Sequence, residues 1–160
     1  MVSTPVTQRL AVKLSTWRRL TWADRWLMVS AVVMIVCLRI LIATLGFAAV
    51  YAAMTRRASK LAPTFIDASK RDRVVEIARI VDAAARHTLL TNTCLHRALT
   101  LWWMLRRRGF FASLQLGVRK QSDHFEAHAW VTYAGSVVND ADVVDGAYVP
   151  LSLTPLKQRA

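Results

Sequence analysis

Acidic residues and cysteine are scarce in this chain. Ten Asp and Glu stand against 22 Lys and Arg, a formal net charge of +12. The shortage is uneven. Residues 1–60 hold nine basic side chains and one acid, nine minus one being +8, while residues 61–160 hold thirteen and nine, which leaves +4. A basic front half calls for an acidic partner, a membrane surface or nucleic acid, or is a solvated face. Cys37 and Cys94 are the only two cysteines. Two thiols build no disulfide framework, which excludes a stapled secreted scaffold and fits a reducing cytoplasm. With five glycines and four prolines in 160 residues, there is no low-complexity tract and no internal repeat, and the length suits one modest domain plus an extension.

One long hydrophobic run is present. Thr21-Trp22-Ala23-Asp24 has the form of a capping box, so a helix starts there and runs through Met54 to the basic stop Arg56-Arg57. The run is long enough to cross a bilayer, but Arg39 near its middle would be costly in lipid. The run starts too late and is too long for a signal peptide. Residues 22–57 are read as a membrane span or, as the cost of Arg39 favours, as a helix buried on its own domain or on a partner, or lying on a membrane surface. Pro63 breaks the pattern. Val74, Ile77, Ala78, Val81, Ala84 and Ala85 then recur at helical spacing, predicting an amphipathic core helix.

Thr91 to Thr93 offer N-caps for a helix from Cys94 to Arg108 that is apolar on most sides and hence buried. Arg106 to Arg108 suit its negative end, and Gly109 is a natural stop. Beyond Gly109 the period changes to two. Leu114, Leu116 and Val118 mark a strand, Gln121 to Asp123 a polar turn, AHAWVTY a second strand and VVND a returning one. Pro150 and Pro155 mark an irregular tail. Helices followed by a small antiparallel sheet make an α+β fold. The division expected is an extension over 1–60 and a domain over 61–160.

Cys94 stands at the first turn of a buried helix, where the dipole favours a thiolate and free backbone N–H groups can bind an oxyanion. A nucleophile needs a base with an orienting group. His128 lies on a strand between Ala127 and Ala129, small neighbours that leave room for its ring. With a three-residue loop Ala134-Gly135-Ser136, Tyr133 pairs with Val137. Asp140 then lies diagonal to His128 on the same face, and Asp142 directly opposite it. A two-residue loop turns Asp140 to the wrong face, so a triad requires the longer turn or a bulge.

The segments TCLHRALTLWWMLRRRGFFASLQLGVRK and FEAHAWVTYAGSVVND, in this order and spacing, resemble the lasso peptide biosynthesis leader peptidases of the transglutaminase-like cysteine protease superfamily. The resemblance covers about residues 90 to 140, and the apolar helical region before it is similar to the stand-alone form of these proteins. It implies a nucleophile helix packed on a small sheet and a catalytic triad of Cys94, His128 and Asp140, with no cofactor. It also implies a lasso precursor peptide as substrate, which a separate cyclase would close once its leader is removed. Fused members carry a winged-helix-like precursor-recognition domain. Residues 1–60 show no alternating strands, so that function would fall to a separate recognition protein.

Two other readings compete. Cys94, His96, His124 and His128 include metal-ligand types, but HFEAH has Phe125 where the zinc protease motif needs Glu, and it reads as a strand. A membrane-associated or metal-binding scaffold would leave the Cys94, His128 and Asp140 set unexplained. No nucleic-acid motif accompanies the arginines.

Overall fold

A computed structural model describes residues 21–61, 68–88, 94–121, 124–140 and 148–151. The expected caps at Thr91 to Thr93, the break at Pro63, and Asp142 lie outside them. Helices α1 (Trp22–Leu45), α2 (Phe47–Ala58), α3 (Arg71–His87) and α4 (Cys94–Arg107) precede strands β1 (Ala112–Gln121), β2 (His124–Tyr133), β3 (Ser136–Val137) and β4 (Val149–Leu151), with a short 3-10 turn at Ala68–Lys70. The fold is α+β, as the pattern predicts.

Helix α1 begins where the capping box places it. Thr21 Oγ1 accepts from the Asp24 N–H at 3.2 Å and donates to the Asp24 carboxylate at 2.6 Å. The expected single helix to Arg57 is instead two. Gly46 breaks it with φ 79 and ψ 157, backbone angles that a side chain resists. Helix α2 then runs back beside α1, and Met34, Leu38 and Leu45 face Val50 and Met54 across an apolar groove of about 380 Å³.

The inner face of α1, with Leu27, Ala31, Ile35 and Leu38 at most 3% exposed, joins α3, α4 and the sheet in one hydrophobic cluster. Every apolar position expected on α3 is buried. Helix α4 is the central element, and its burial on most sides explains why it is apolar all round. It ends as expected. Gly109 takes φ 81, and the Gly109 and Phe110 N–H groups bond to Arg106 and Leu105 carbonyls at 3.1 Å.

The sheet is antiparallel in the order β3-β2-β1-β4. Strands β1 and β2 pair over ten residues, with Ala129, Val131 and Tyr133 of β2 facing the core. The tail is not wholly irregular: Val149–Leu151 adds an edge strand to β1. Pro150 is tolerated there because an edge position leaves one side of the strand unpaired.

The hairpin departs from the three-residue loop. Tyr133 pairs with Ser136 and Thr132 with Val137, so the loop is the two residues Ala134-Gly135. Their φ values of 50 and 76 are those of a type I′ turn, whose twist suits the flanking strands.

Candidate active site

Cys94 opens α4 at the edge of β2, half-buried, with its Sγ 4.0 Å from the carbonyl oxygen of Ala127. His128 follows that carbonyl by one residue. The short hairpin would carry Asp140 to the far face if pairing continued, but the chain leaves the ladder. The Val138 N–H donates to the Val131 carbonyl at 3.0 Å. In return, the Val131 N–H bonds to the side-chain Oδ1 of Asn139 at 2.8 Å, where a regular ladder would use the Val138 carbonyl. Asp140 then adopts φ 58, a left-handed conformation that Asp tolerates better than most residues. Its Oδ2 lies 3.3 Å from His128 Nε2. At that separation His128 Nε2 makes no hydrogen bond to Asp140. The side chains of His128 and Asp140 are 11% and 16% exposed, so the pair is shielded from water.

Two residues that sequence reasoning missed complete this corner. Arg97, one turn after Cys94, reaches Asp140 through Nη2 and stands 3.3 Å from Asp82 of α3 through Nε. Burial raises the Asp82 carboxyl above its ordinary value; Arg97 opposes that rise and Asp140 adds to it. The result is a chain of polar side chains from His128 through Asp140 and Arg97 to Asp82. The spacing Cys-x-x-Arg places Cys94 and Arg97 on one helix face, but without an acidic partner in the local sequence nothing marked Arg97.

Tyr148 is the other. Strand β4 brings its ring to 5.3 Å from His128 and 6.1 Å from Trp130, and the Arg119 guanidinium lies 4.9 Å over it. Burial raises its hydroxyl; Arg119 opposes this, while Glu126 and, last, Cys94 add to it. Gly117 lies opposite His128 on β1, and a Cβ there would meet the Trp130 ring at 2.6 Å. The glycine makes room for the aromatic wall beside the imidazole. The signal for Tyr148 is a three-residue edge strand containing proline, too short to read from periodicity.

His96 is placed elsewhere. Burial, and beyond it the positive charge of Arg39 on α1, lower its proton affinity. The His87 and His124 side chains lie outside the described residues. Among the described residues, no three His, Cys, Asp or Glu side chains converge as a metal site.

A thiol at a helix start against the Ala127 carbonyl, an imidazole on the next residue of that strand and a carboxylate beyond the hairpin form, on this frame, an arrangement suited to thiol-dependent acyl transfer. The chain belongs to the transglutaminase-like superfamily, whose sequence pattern matches residues 31–153, from the middle of α1 through β4. That superfamily includes cysteine proteases and transglutaminases. No curated protein and no solved structure matches the chain.

Proposed function

We propose that this protein is a cysteine peptidase that removes the leader from a ribosomally made lasso peptide precursor in the cytoplasm, acting with a separate precursor-recognition protein. The observation that carries the reading is the approach of Asp140 to His128 next to the α4 terminus that bears Cys94. The resemblance of residues 90 to 140 to the leader peptidases supplies the substrate class.

In this mechanism Cys94 Sγ attacks the carbonyl carbon at the leader–core junction while His128 takes the thiol proton. Free N–H groups of the first α4 turn receive the oxyanion. The C–N bond breaks, His128 returns the proton to the core amine, and the leader remains as a thioester on Cys94. Water, activated by His128, hydrolyses the thioester and releases the leader carboxylate. Asp140 orients the imidazole and stabilises its charged form. The freed core amine is what a cyclase would join to an acidic side chain.

Reconstitution tests the reading. Protein, recognition partner and precursor are incubated and the peptides weighed by mass spectrometry. Cleavage at one junction that Cys94→Ala abolishes and Cys37→Ala preserves is expected. Full cleavage by Cys94→Ala would reject the mechanism, and loss of cleavage on zinc chelation would favour a metal enzyme.

A further inference from the structure

Helix α1 has two apolar faces, and the core uses one. The outer face carries Trp22, Trp26, Val29, Val33, Cys37 and Ile40, all exposed; Trp22 is 82% and Ile40 58% exposed. No exposed position of α1 is charged, because Asp24 is buried and Arg25 and Arg39 are half-buried. Only 28% of its most apolar 18-residue window is buried, and the mean hydropathy of that window is 2.5. An ordinary surface helix turns polar side chains outward.

Arginines flank this face. Arg57 borders the apolar groove beside Leu38 and Leu41, and Arg107 and Arg108 line an adjoining pocket with Ser30 and Met34. Burial and the neighbouring Arg107 and Arg73 charges weaken proton binding by Arg108, which marks a concentration of positive charge. No carboxylate pairs with Arg56, Arg57, Arg107 or Arg108 among the described residues.

We propose that the outer face of α1 lies in the plane of an anionic membrane, with Trp22 and Trp26 among the headgroups and Arg57, Arg107 and Arg108 on lipid phosphates. Three observations select this occupant. A spanning helix would have to pull Leu27, Ile35 and Leu38 out of the core and carry Arg39 into lipid. A protein partner is met through apolar patches interspersed with hydrogen-bonding groups, whereas the exposed hydroxyls bordering this stripe, Ser30 and Thr44, donate to carbonyls of their own helix. A second copy would set one arginine rim against another on chains of +12 charge. An interfacial helix buries one face by about 5–10 Å, and basic flanks add attraction to anionic headgroups. The arginines at the C-terminal end of α4 are about 20 Å from Cys94 at its other end, so the thiol stays clear of the bilayer. This seat does not depend on the peptidase reading.

The test uses the full chain, diluted from mild detergent onto phosphatidylcholine vesicles with and without about a third phosphatidylglycerol. The protein should float with the anionic vesicles, bind them at least about tenfold more tightly than neutral ones, and lose that binding in the double variant Val33→Glu with Ile40→Glu. Circular dichroism establishes that the double variant is folded. Cys37 supplies a second readout independent of that variant. With Cys94→Ala it is the only thiol, and a bimane placed there should be quenched by shallow, not deep, spin-labelled lipids. A label at Val29→Cys in a chain lacking both native thiols should report the same depth. Protein left at the bottom of the gradient with both vesicle types would overturn the proposal. So would depths that differ by about 1.5 Å per residue along the helix, the mark of a span, or a bimane shielded in a lipid-free dimer.

Discussion

Asp140 is held by more than its neighbour in the proposed triad. Its Oδ2 receives Arg97 Nη2, stands 3.3 Å from His128 Nε2 and accepts from Asn139 Nδ2 at 3.3 Å. The carboxylate is thus fixed from three sides in a left-handed conformation that few residues adopt. Under the proposed mechanism, Asp140→Asn should lower kcat by about 10⁴-fold, since an amide does not stabilise an imidazolium. Arg97→Gln should cost about 100-fold through misplacement of that carboxylate, falling on kcat and not on KM. Arg97→Lys should recover only part of the loss, because one ammonium does not span Asp82 and Asp140 as a guanidinium does. Equal kcat for wild type and Arg97→Gln in steady-state kinetics would remove Arg97 from the account. His96 gives a separate pH test. Its folded-state proton affinity is lowered by burial, so the unfolded chain binds the proton more readily below about pH 6.5. Its contribution to stability is therefore present above that pH and is lost as the pH falls through it. His96→Gln should narrow the difference in melting temperature between about pH 7.5 and about pH 5.5.

The hairpin is the element on which the site depends. Asn139 is 4% exposed, and its side chain takes over the Val131 N–H at the point where the ladder ends. Asn139→Ala should cost about 1–3 kcal/mol in urea unfolding, by stranding that N–H, and should also lower activity by releasing Asp140. Loss of stability without loss of activity would separate the two roles. Helix α3, helix α4 and the paired strands were legible because their apolar periods are long and their stops, such as Gly109, are strong. The grouping of His128 with Asp140 was legible from the resemblance, while its geometric reason was not. A three-residue turn and a two-residue turn followed by a side-chain substitution in the ladder both bring Asp140 round. The Ala134-Gly135 pair alone did not reveal the second solution. Arg97 and Tyr148 stayed hidden because their partners are remote in sequence: Asp140 lies 43 residues from Arg97. The spacing between such partners carries no periodic signal.

On the scale of the whole molecule, Gly46 decides the shape of the front half. Composition reads residues 22–57 as one rod; the backbone folds them into a hairpin whose inner face belongs to the same core as α3, α4 and the sheet. A Cβ at Gly46 would meet nothing within 4 Å, so any cost of substitution comes from its backbone angles alone. Gly46→Ala should destabilise the protein by about 1–3 kcal/mol, read as a lower urea midpoint at an unchanged slope. An unchanged midpoint would mean that the α1–α2 turn tolerates a side chain. Arg106 Nη2 closes the same region by donating to the Ala58 carbonyl at 3.2 Å, which ties the end of α4 to the end of α2. Helix α4 is thus gripped at its far end by the front-half hairpin and at its near end by the Asp82–Arg97–Asp140 chain.

Under the proposed mechanism Cys94 carries the leader as a thioester, which intact-protein mass spectrometry after rapid acid quenching can capture. Protein mixed with precursor and recognition partner should show an adduct equal to the leader mass less one water. Digestion should place that adduct on the peptide containing Cys94. Asp140→Asn should slow its appearance, and Cys94→Ala should show none. Leader release that proceeds without any adduct, and at full rate in Cys94→Ala, would contradict the account.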